Sequence, residues 1–235
     1  MIPLRDTIPT RTFPWVTIAL IVANVLVFLH QLGLGGLHGA AFIAVFGAVP
    51  AQFTGAAPHA APVLTPGLTI ATSMFLHGGV LHLLGNMVFL WIFGNNVEDA
   101  TGHLRFLVFY LACGAVAAVA HIASHPASNV PMVGASGAIS GVLGAYFLLY
   151  PHARIVTLLW LGFFAQTVQI PAFVFLGFWF LMQSLSWAVS GGEGGSGGVA
   201  FVAHIGGFVA GLLLVVPFKR RRTRLWSPLT GQGAL

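Results

Sequence analysis

Residues 199–217 read VAFVAHIGGFVAGLLLVVP, a run without a charged side chain in which His204 is the only histidine. Crossing the hydrocarbon core of a bilayer takes about 20 largely apolar residues, so this run predicts a transmembrane helix. A polar, ionisable group inside such a helix is energetically unfavourable and is a functional candidate by default. The run therefore indicates a membrane fold and also points to a first residue that could carry chemistry.

The composition of the whole chain agrees with a membrane protein. Only 6% of the 235 residues are charged and 57% are hydrophobic, whereas soluble domains carry about 25% charged residues. The pI near 10.4 does not indicate a nucleic-acid-binding protein, because the basic residues are too few and too dispersed to form a binding face. The single cysteine, Cys113, excludes an internal disulfide and a multi-cysteine metal site, and we interpret it as a packing residue.

Six segments are long enough, or nearly long enough, to cross the membrane, and they predict an all-α membrane protein built as a bundle of six transmembrane helices. They are roughly residues 14–32, 78–97, 104–123, 135–150, 171–189 and 199–217. Two further apolar runs, 40–49 and 155–165, are too short to span and are more typical of interfacial or re-entrant segments.

The basic residues predict the orientation of this bundle. With six spans and a cytoplasmic N-terminus, all nine lysines and arginines fall on the cytoplasmic side, and the external loops 33–77, 124–134 and 190–198 contain none. This is the positive-inside pattern, and a seventh span at 155–165 would break it. The N-terminus also lacks a cleavable signal pattern, so we expect the first span to be retained.

Three regions follow from this topology. We expect a cytoplasmic segment at 1–13, a six-helix membrane domain at 14–217 and a basic cytoplasmic tail at 218–235. The expected location is the inner membrane of a bacterial cell, with both termini in the cytoplasm and the bilayer as immediate partner. The glycine-rich loop 190–198 is interpreted as a mobile cap between two spans.

Polar side chains recur at one depth in three of the predicted spans. Asn86, Ser136 and His204 lie about 18–22 Å above the cytoplasmic ends of their helices at 1.5 Å per residue. His82 is four residues before Asn86 and therefore shares its helix face. A serine, a histidine and side-chain donors are thus expected at one level in the outer half of the membrane.

The glycines beside these residues predict close helix contact. Gly137 and Gly141 form one small-xxx-small face, and Gly207 and Gly211 form another; such faces let two backbones approach each other. A serine and a histidine on different helices need this approach to share a hydrogen bond. Ser136 also begins its predicted helix, where free N–H groups can stabilise a negatively charged oxygen.

These polar residues could also have structural or metal-binding roles. A single serine in a membrane helix usually bonds its own backbone, and a single histidine usually packs between helices. A metal site lacks support, because His77 and His82 are five residues apart and the chain has no His-Glu-x-x-His motif. The four acidic residues predict no buried carboxylate, so a Ser-His-Asp triad is not expected and a Ser-His dyad remains.

Together the motifs make the sequence similar to the rhomboid intramembrane proteases. The matching stretches are Gly134-Ala-Ser-Gly137, His204 with Gly207 and Gly211, the run from His77 to Asn86, and Gly94-Asn-Asn-Val-Glu98 with Gly102. The resemblance covers about residues 14–217, and its strength lies in the ordered set, since each motif alone is weak.

The resemblance implies a serine endopeptidase that cleaves transmembrane segments of single-span or multi-span membrane proteins near the outer face. It implies a catalytic dyad of Ser136 and His204. It also implies an oxyanion site that includes His82, Asn86, Gly134 and the backbone N–H of Ser136. No cofactor and no metal are implied, and the oligomeric state stays open.

Two departures and two alternatives accompany this reading. Residues 33–68 lack the Trp-Arg pair that some members carry in the first external loop, and Ser73 stands where some members have a histidine. A non-catalytic relative that binds membrane segments is one alternative, although such proteins lack the nucleophile or the base. A small transporter is the other, but its polar residues would line a path across the whole membrane.

Overall fold

The computed structural model describes residues 1–56, 64–162, 164–189 and 201–226, and helices dominate this part of the chain. The helices of its first half are α1 (Trp15–Leu34), α2 (Gly36–Phe46), α3 (Pro50–Thr54), α4 (Pro66–Ser73), α5 (Val80–Phe89), a π-helical turn (Leu90–Gly94) and α6 (Asn95–Thr101). The second half contains α7 (His103–Ser124), α8 (Ser136–Leu149), α9 (Ala172–Val189) and α10 (Phe201–Phe218). The predicted cap at 190–198 lies outside the described residues.

Within the described residues, five helical runs are long and apolar enough to cross a membrane: α1, the continuous run Val80–Thr101, α7, α9 and α10. The chain is therefore a multi-pass membrane protein. The predicted span at 135–150 corresponds to α8, which has only 14 residues and is about 21 Å long. Because the hydrocarbon core is about 30 Å thick, α8 is too short to count as a span by length alone, and a sixth crossing remains a prediction.

The α8 helix forms the centre of the bundle, with ten of its residues buried. It meets α10 through the predicted glycine faces. A Cβ atom at Gly207 would collide with the carbonyl oxygen of Gly137, and a Cβ atom at Gly211 would lie 2.7 Å from the Cα of Gly141. The α8 helix also meets α7, where Cys113 is buried against Gly141. The small residues therefore serve the close backbone contact that their spacing predicts.

The prediction of an all-α fold is confirmed only in part: the described residues are mostly helical, but three strands among them form an antiparallel sheet in the order β1-β2-β3. Strand β1 (Ile2–Asp6) pairs with β2 (Arg154–Leu161), which forms a hairpin with β3 (Phe164–Pro171). The apolar run at 155–165 therefore lies in this hairpin. A short apolar run of this kind cannot be assigned to helix or strand from periodicity, and Pro3 is accommodated because β1 is an edge strand.

The expectation of no buried carboxylate was wrong, because Glu98 is completely buried. Its oxygens accept hydrogen bonds from the backbone N–H groups of Val16 and Thr17 at 2.9 and 2.8 Å, and from the Thr17 hydroxyl at 2.7 Å. His103 lies 2.5 Å away. The first N–H groups of a helix have no intrahelical partners, so the start of α1 can solvate this charge.

The basic residues gather at the same end of the bundle as Glu98. Arg5 and Arg154 lie in the paired strands β1 and β2, and the backbone of Arg220 donates to Ala100 at 2.9 Å. Arg105, Arg220 and Arg221 line a cavity of about 520 Å³ beside the start of α7. The C-terminal segment after α10 thus folds back onto the turn between α6 and α7.

Candidate active site

The two residues predicted to form the dyad are joined by a hydrogen bond in the structure. Ser136 is the first residue of α8, and its Oγ lies 2.8 Å from Nε2 of His204, which is on the first turn of α10. The glycine contacts between α8 and α10 bring these backbones close enough for the two side chains to meet. Both side chains are half-buried. A hydroxyl and an imidazole at this distance are what a nucleophile and its general base would need for nucleophilic catalysis.

The other nitrogen of the imidazole has a partner that the sequence analysis missed. His204 Nδ1 lies 2.8 Å from Oε1 of Gln183, in the last two turns of α9. The Trp179 ring, one turn earlier on the same helix, lies with its centroid 6.0 Å from that of His204. Gln183 falls inside a predicted span, so the rule that polar groups in spans are functional candidates could have identified it.

His82 and Gly134 lie beside the serine. A Cβ atom at Gly134 would lie 2.8–2.9 Å from the His82 imidazole and 3.6 Å from Ser136 Oγ. Gly134 also has a positive φ of 123°, and its N–H donates to the carbonyl oxygen of Ser73 at 2.9 Å. This glycine therefore contributes space and a turn, because its N–H group already has an acceptor.

Asn86 lies on α5 one helical turn after His82, and its side chain is only 7% exposed. Its Nδ2 donor has no hydrogen-bond partner among the described residues. Buried donors in proteins are nearly always paired, so this unpaired amide is a strong candidate for contact with a bound molecule. The structure joins Ser136 with His204 and brings His82 next to them, whereas no hydrogen bond in the described part of the chain links Asn86 to the dyad.

The Ser140 side chain and the His77 backbone make structural hydrogen bonds. The Ser140 hydroxyl donates to the carbonyl oxygen of Ser136 at 2.7 Å, as a membrane serine usually does. The backbone of His77 is held by the side chain of Gln31 through two hydrogen bonds of 3.1 Å. Its buried ring lies with its centroid 5.1 Å from that of His82, and neither ring nitrogen has a hydrogen-bond partner among the described residues.

The site lies at one end of α8, and the basic residues near Glu98 lie at the other end, which forms the basic face of the bundle. The last turn of α8 is near the C-terminal segment, since Trp226 donates to the carbonyl oxygen of Leu148 at 3.1 Å. Ser136 is a helix length away, about 20 Å at 1.5 Å per residue.

Sequence comparison identifies the relatives of this architecture. The sequence model of the Rhomboid domain matches residues 66–221, which is well over half of the chain and includes α8 and α10. The chain belongs to the rhomboid family. The matched region contains Ser136, His204, His82, Asn86 and Gly134 of this rhomboid site.

Several curated rhomboid proteins are similar to the chain. Rhomboid protein 1, mitochondrial, of Saccharomyces cerevisiae is 30% identical over 155 residues, covering 64% of this chain and 41% of the yeast protein. Rhomboid protease GluP of Bacillus subtilis is 34% identical over 148 residues, covering 63% and 26%. RHOMBOID-like protein 4 of Arabidopsis thaliana is 31% identical over 222 residues, covering 86% and 52%. The chain thus spans between about a quarter and a half of the length of these relatives.

Proposed function

We propose that this rhomboid chain is an intramembrane serine endopeptidase that cleaves transmembrane segments of membrane proteins near the outer membrane face. The observation that carries the proposal is the 2.8 Å hydrogen bond between Ser136 Oγ and His204 Nε2 at the start of α8. The similarity to a protein named as a rhomboid protease supports the same reaction class. The presence of both nucleophile and base speaks against a non-catalytic relative.

In this reaction the Ser136 oxygen attacks the carbonyl carbon of the scissile peptide bond while His204 Nε2 takes the hydroxyl proton. The imidazolium then gives that proton to the leaving amine, and an acyl-enzyme on Ser136 remains. A water molecule, deprotonated by the same nitrogen, hydrolyses the ester and restores the serine. These steps use two side chains and need no metal and no cofactor.

The negative oxygen of the tetrahedral intermediate would be stabilised by donors around the serine. The backbone N–H of Ser136 belongs to the first turn of α8, where N–H groups lack intrahelical acceptors. The unpaired Asn86 amide and the His82 ring, next to Gly134, would supply the side-chain donors. Gly134 keeps room for the oxygen, since a side chain there would occupy the space between His82 and Ser136.

The proposal includes a topology. Six crossings, with α8 as the short fourth crossing, would put both termini and all nine basic residues in the cytoplasm, and residues 14–217 would form the protease domain. The depth of Ser136, about 20 Å from the basic face, supports cleavage in the outer half of the membrane. The proposed location is a bacterial inner membrane, with single-span or multi-span membrane proteins as substrates.

The test is cleavage of a single-span substrate by the purified chain in liposomes. The native protein should cleave, and a fluorophosphonate should label Ser136. The Ser136→Ala variant should do neither, and His204→Ala should lose nearly all labelling. The matched control is Ser140→Ala, which removes a hydroxyl bonded to its own helix and should keep activity. Full cleavage by Ser136→Ala would overturn the proposal.

A further inference from the structure

The α9 helix touches the proposed base with two side chains that are four residues apart. Gln183 Oε1 lies 2.8 Å from His204 Nδ1, and the Trp179 ring lies beside the imidazole with 6.0 Å between centroids. Residues at this spacing share one helix face. One face of α9 thus holds the edge of His204 that points away from Ser136.

The chemistry of the amide decides which nitrogen of His204 carries the proton. An amide oxygen only accepts hydrogen bonds, so the group that faces it has to be Nδ1–H. In a neutral imidazole the other nitrogen, Nε2, then has a free lone pair, and this is the nitrogen that lies 2.8 Å from Ser136 Oγ. The tautomer fixed by the amide is therefore the one that can remove the serine proton.

We propose that Gln183 is a positioning residue that holds His204 as the Nδ1–H tautomer and orients Nε2 toward Ser136. This inference rests on the proposed protease function and adds a third member to the proposed dyad. Without the acceptor, the imidazole is free to rotate or to carry its proton on Nε2, where it cannot serve as a base.

A neutral acceptor suits this position better than a carboxylate. Glu98 bonds the start of α1 and His103. Asp6 accepts hydrogen bonds from Asn96 and Tyr146. Both carboxylates thus bond groups other than His204. A charge beside His204 would have to be buried within a bundle of apolar helices, which is unfavourable. An amide fixes the same tautomer without adding a charge.

A purely structural role would be to tie α9 to α10, since interhelical hydrogen bonds stabilise membrane bundles. Only 17% of α9 is buried, against 28–50% of the apolar stretches in the other candidate spans, so α9 is weakly held and one interhelical hydrogen bond could matter for its stability. The test therefore has to separate stability from turnover. The useful variants are Gln183→Met, which keeps size and removes the acceptor, and Gln183→Glu, which keeps the acceptor. Ser184→Ala is the matched control, since the Ser184 hydroxyl bonds the carbonyl of Phe180 within α9.

Turnover in liposomes with a single-span substrate is the first measurement. Gln183→Met should lower kcat about 10–100-fold with KM within about twofold, and its fluorophosphonate labelling should slow by a similar factor. Gln183→Glu should recover most of the activity at high pH. The acidic limb of its pH–rate profile should move up by about 1–3 pH units, because a carboxylate favours the imidazolium. Ser184→Ala should match the native protein.

The second measurement does not depend on activity. In protein with 15N-labelled histidine, the His204 signals, assigned by their loss in His204→Ala, should show hydrogen on Nδ1 in the native chain. Gln183→Met should show a mixture of tautomers. The native protein could cleave no substrate while Gln183→Met still shows mixed His204 tautomers. In that case the proposed protease function fails, but the positioning of His204 by Gln183 is supported. Native kcat in Gln183→Met, activity lost only in proportion to unfolded protein, or hydrogen on Nε2 in the native chain would overturn the inference.

Discussion

Gly211 of α10 lies against Gly141 of α8 so closely that a Cβ atom at position 211 would be 2.7 Å from the Gly141 Cα and would overlap the Gly141 carbonyl. The two helices therefore touch backbone to backbone. About one turn before Gly141 in α8 and two turns before Gly211 in α10, the same helix contact brings Ser136 and His204 to hydrogen-bond distance. The spacing of α8 and α10 thus sets the geometry of the proposed dyad.

The first prediction is that Gly211→Ala separates these helices. The added methyl group has only backbone to push against, so we expect destabilisation of about 1–3 kcal/mol and slower labelling of Ser136 by a fluorophosphonate. Gly177→Ala is the control, because a Cβ there would be 4.0 Å from its nearest neighbour, Phe147. Thermal unfolding in detergent and labelling rates check both variants; equal rates for Gly211→Ala and native protein would contradict the prediction.

The second prediction concerns Glu98. In Glu98→Gln, the N–H groups at the start of α1 and the Thr17 hydroxyl keep only a poorer, uncharged acceptor. The new amide NH2 group is also a donor, and it faces groups that are donors themselves. Glu98→Gln should lower the unfolding free energy by about 3 kcal/mol. The neighbouring variant Asp99→Asn should lose about 1 kcal/mol or less, because its bonds reach Arg11 and Thr12 near the surface. Similar losses in the two variants would argue against a special role of Glu98.

The third prediction concerns pH and Asp6, whose Oδ2 accepts from Asn96 and Tyr146 at 2.5 and 2.6 Å. Burial raises the pKa of this carboxyl from 3.8 to about 6, and the Tyr146 hydrogen bond offsets only part of that effect. The folded chain therefore binds this proton more tightly than the unfolded chain, so stability should fall as pH rises from about 4 to about 6. Asp6→Asn should remove this slope and raise the melting temperature at pH 7. Parallel pH curves for the two proteins would contradict the assignment.

The sequence predicted those features that depend on one segment at a time. The start of α8 near Ser136 followed from the apolar run at 135–150, and the close contact of α8 with α10 followed from two matched glycine pairs. The depths of the polar residues along separate spans predicted that Ser136 and His204 lie at one level in the membrane. Each of these inferences used helix geometry, which is the same in every segment.

The features that were missed depend on partners far away in the chain. Residues 154–161 form a strand because residues 2–6 and 164–171 pair with them, and an apolar run contains no sign of such partners. Glu98 is tolerated in the interior because the start of α1, about 80 residues earlier, supplies its donors. Gln183 is a polar residue inside a predicted span and could have been singled out, but its contact with His204 joins two different helices and cannot be read from either segment alone.

The fourth prediction concerns topology and can be tested with single cysteines in a Cys113→Ala background. A cysteine replacing the exposed His38 should react with an impermeant maleimide added outside the cell. Cysteines replacing Gln166 in the hairpin or Arg222 in the C-terminal segment should react only after permeabilisation. Outside labelling at position 222 would contradict an even number of crossings, and outside labelling at position 166 alone would show that the hairpin is not cytoplasmic.

The last prediction concerns Asn86, a buried amide whose Nδ2 has no partner among the described residues. An oxyanion donor is needed most when the carbonyl oxygen gains charge, so Asn86→Ala should lower kcat about 10²–10³-fold and change KM little. Asn24→Ala is the control: its amide is also buried in a span but donates to Leu20 of its own helix at 2.7 Å, so kcat per folded molecule should stay native. If His82 donates to the same oxygen, the double variant should lose less than the product of the two single losses. Full kcat in Asn86→Ala, with folding intact, would leave His82 and backbone N–H groups as the only donors, because an amide that stabilised charge could not be removed without slowing the reaction.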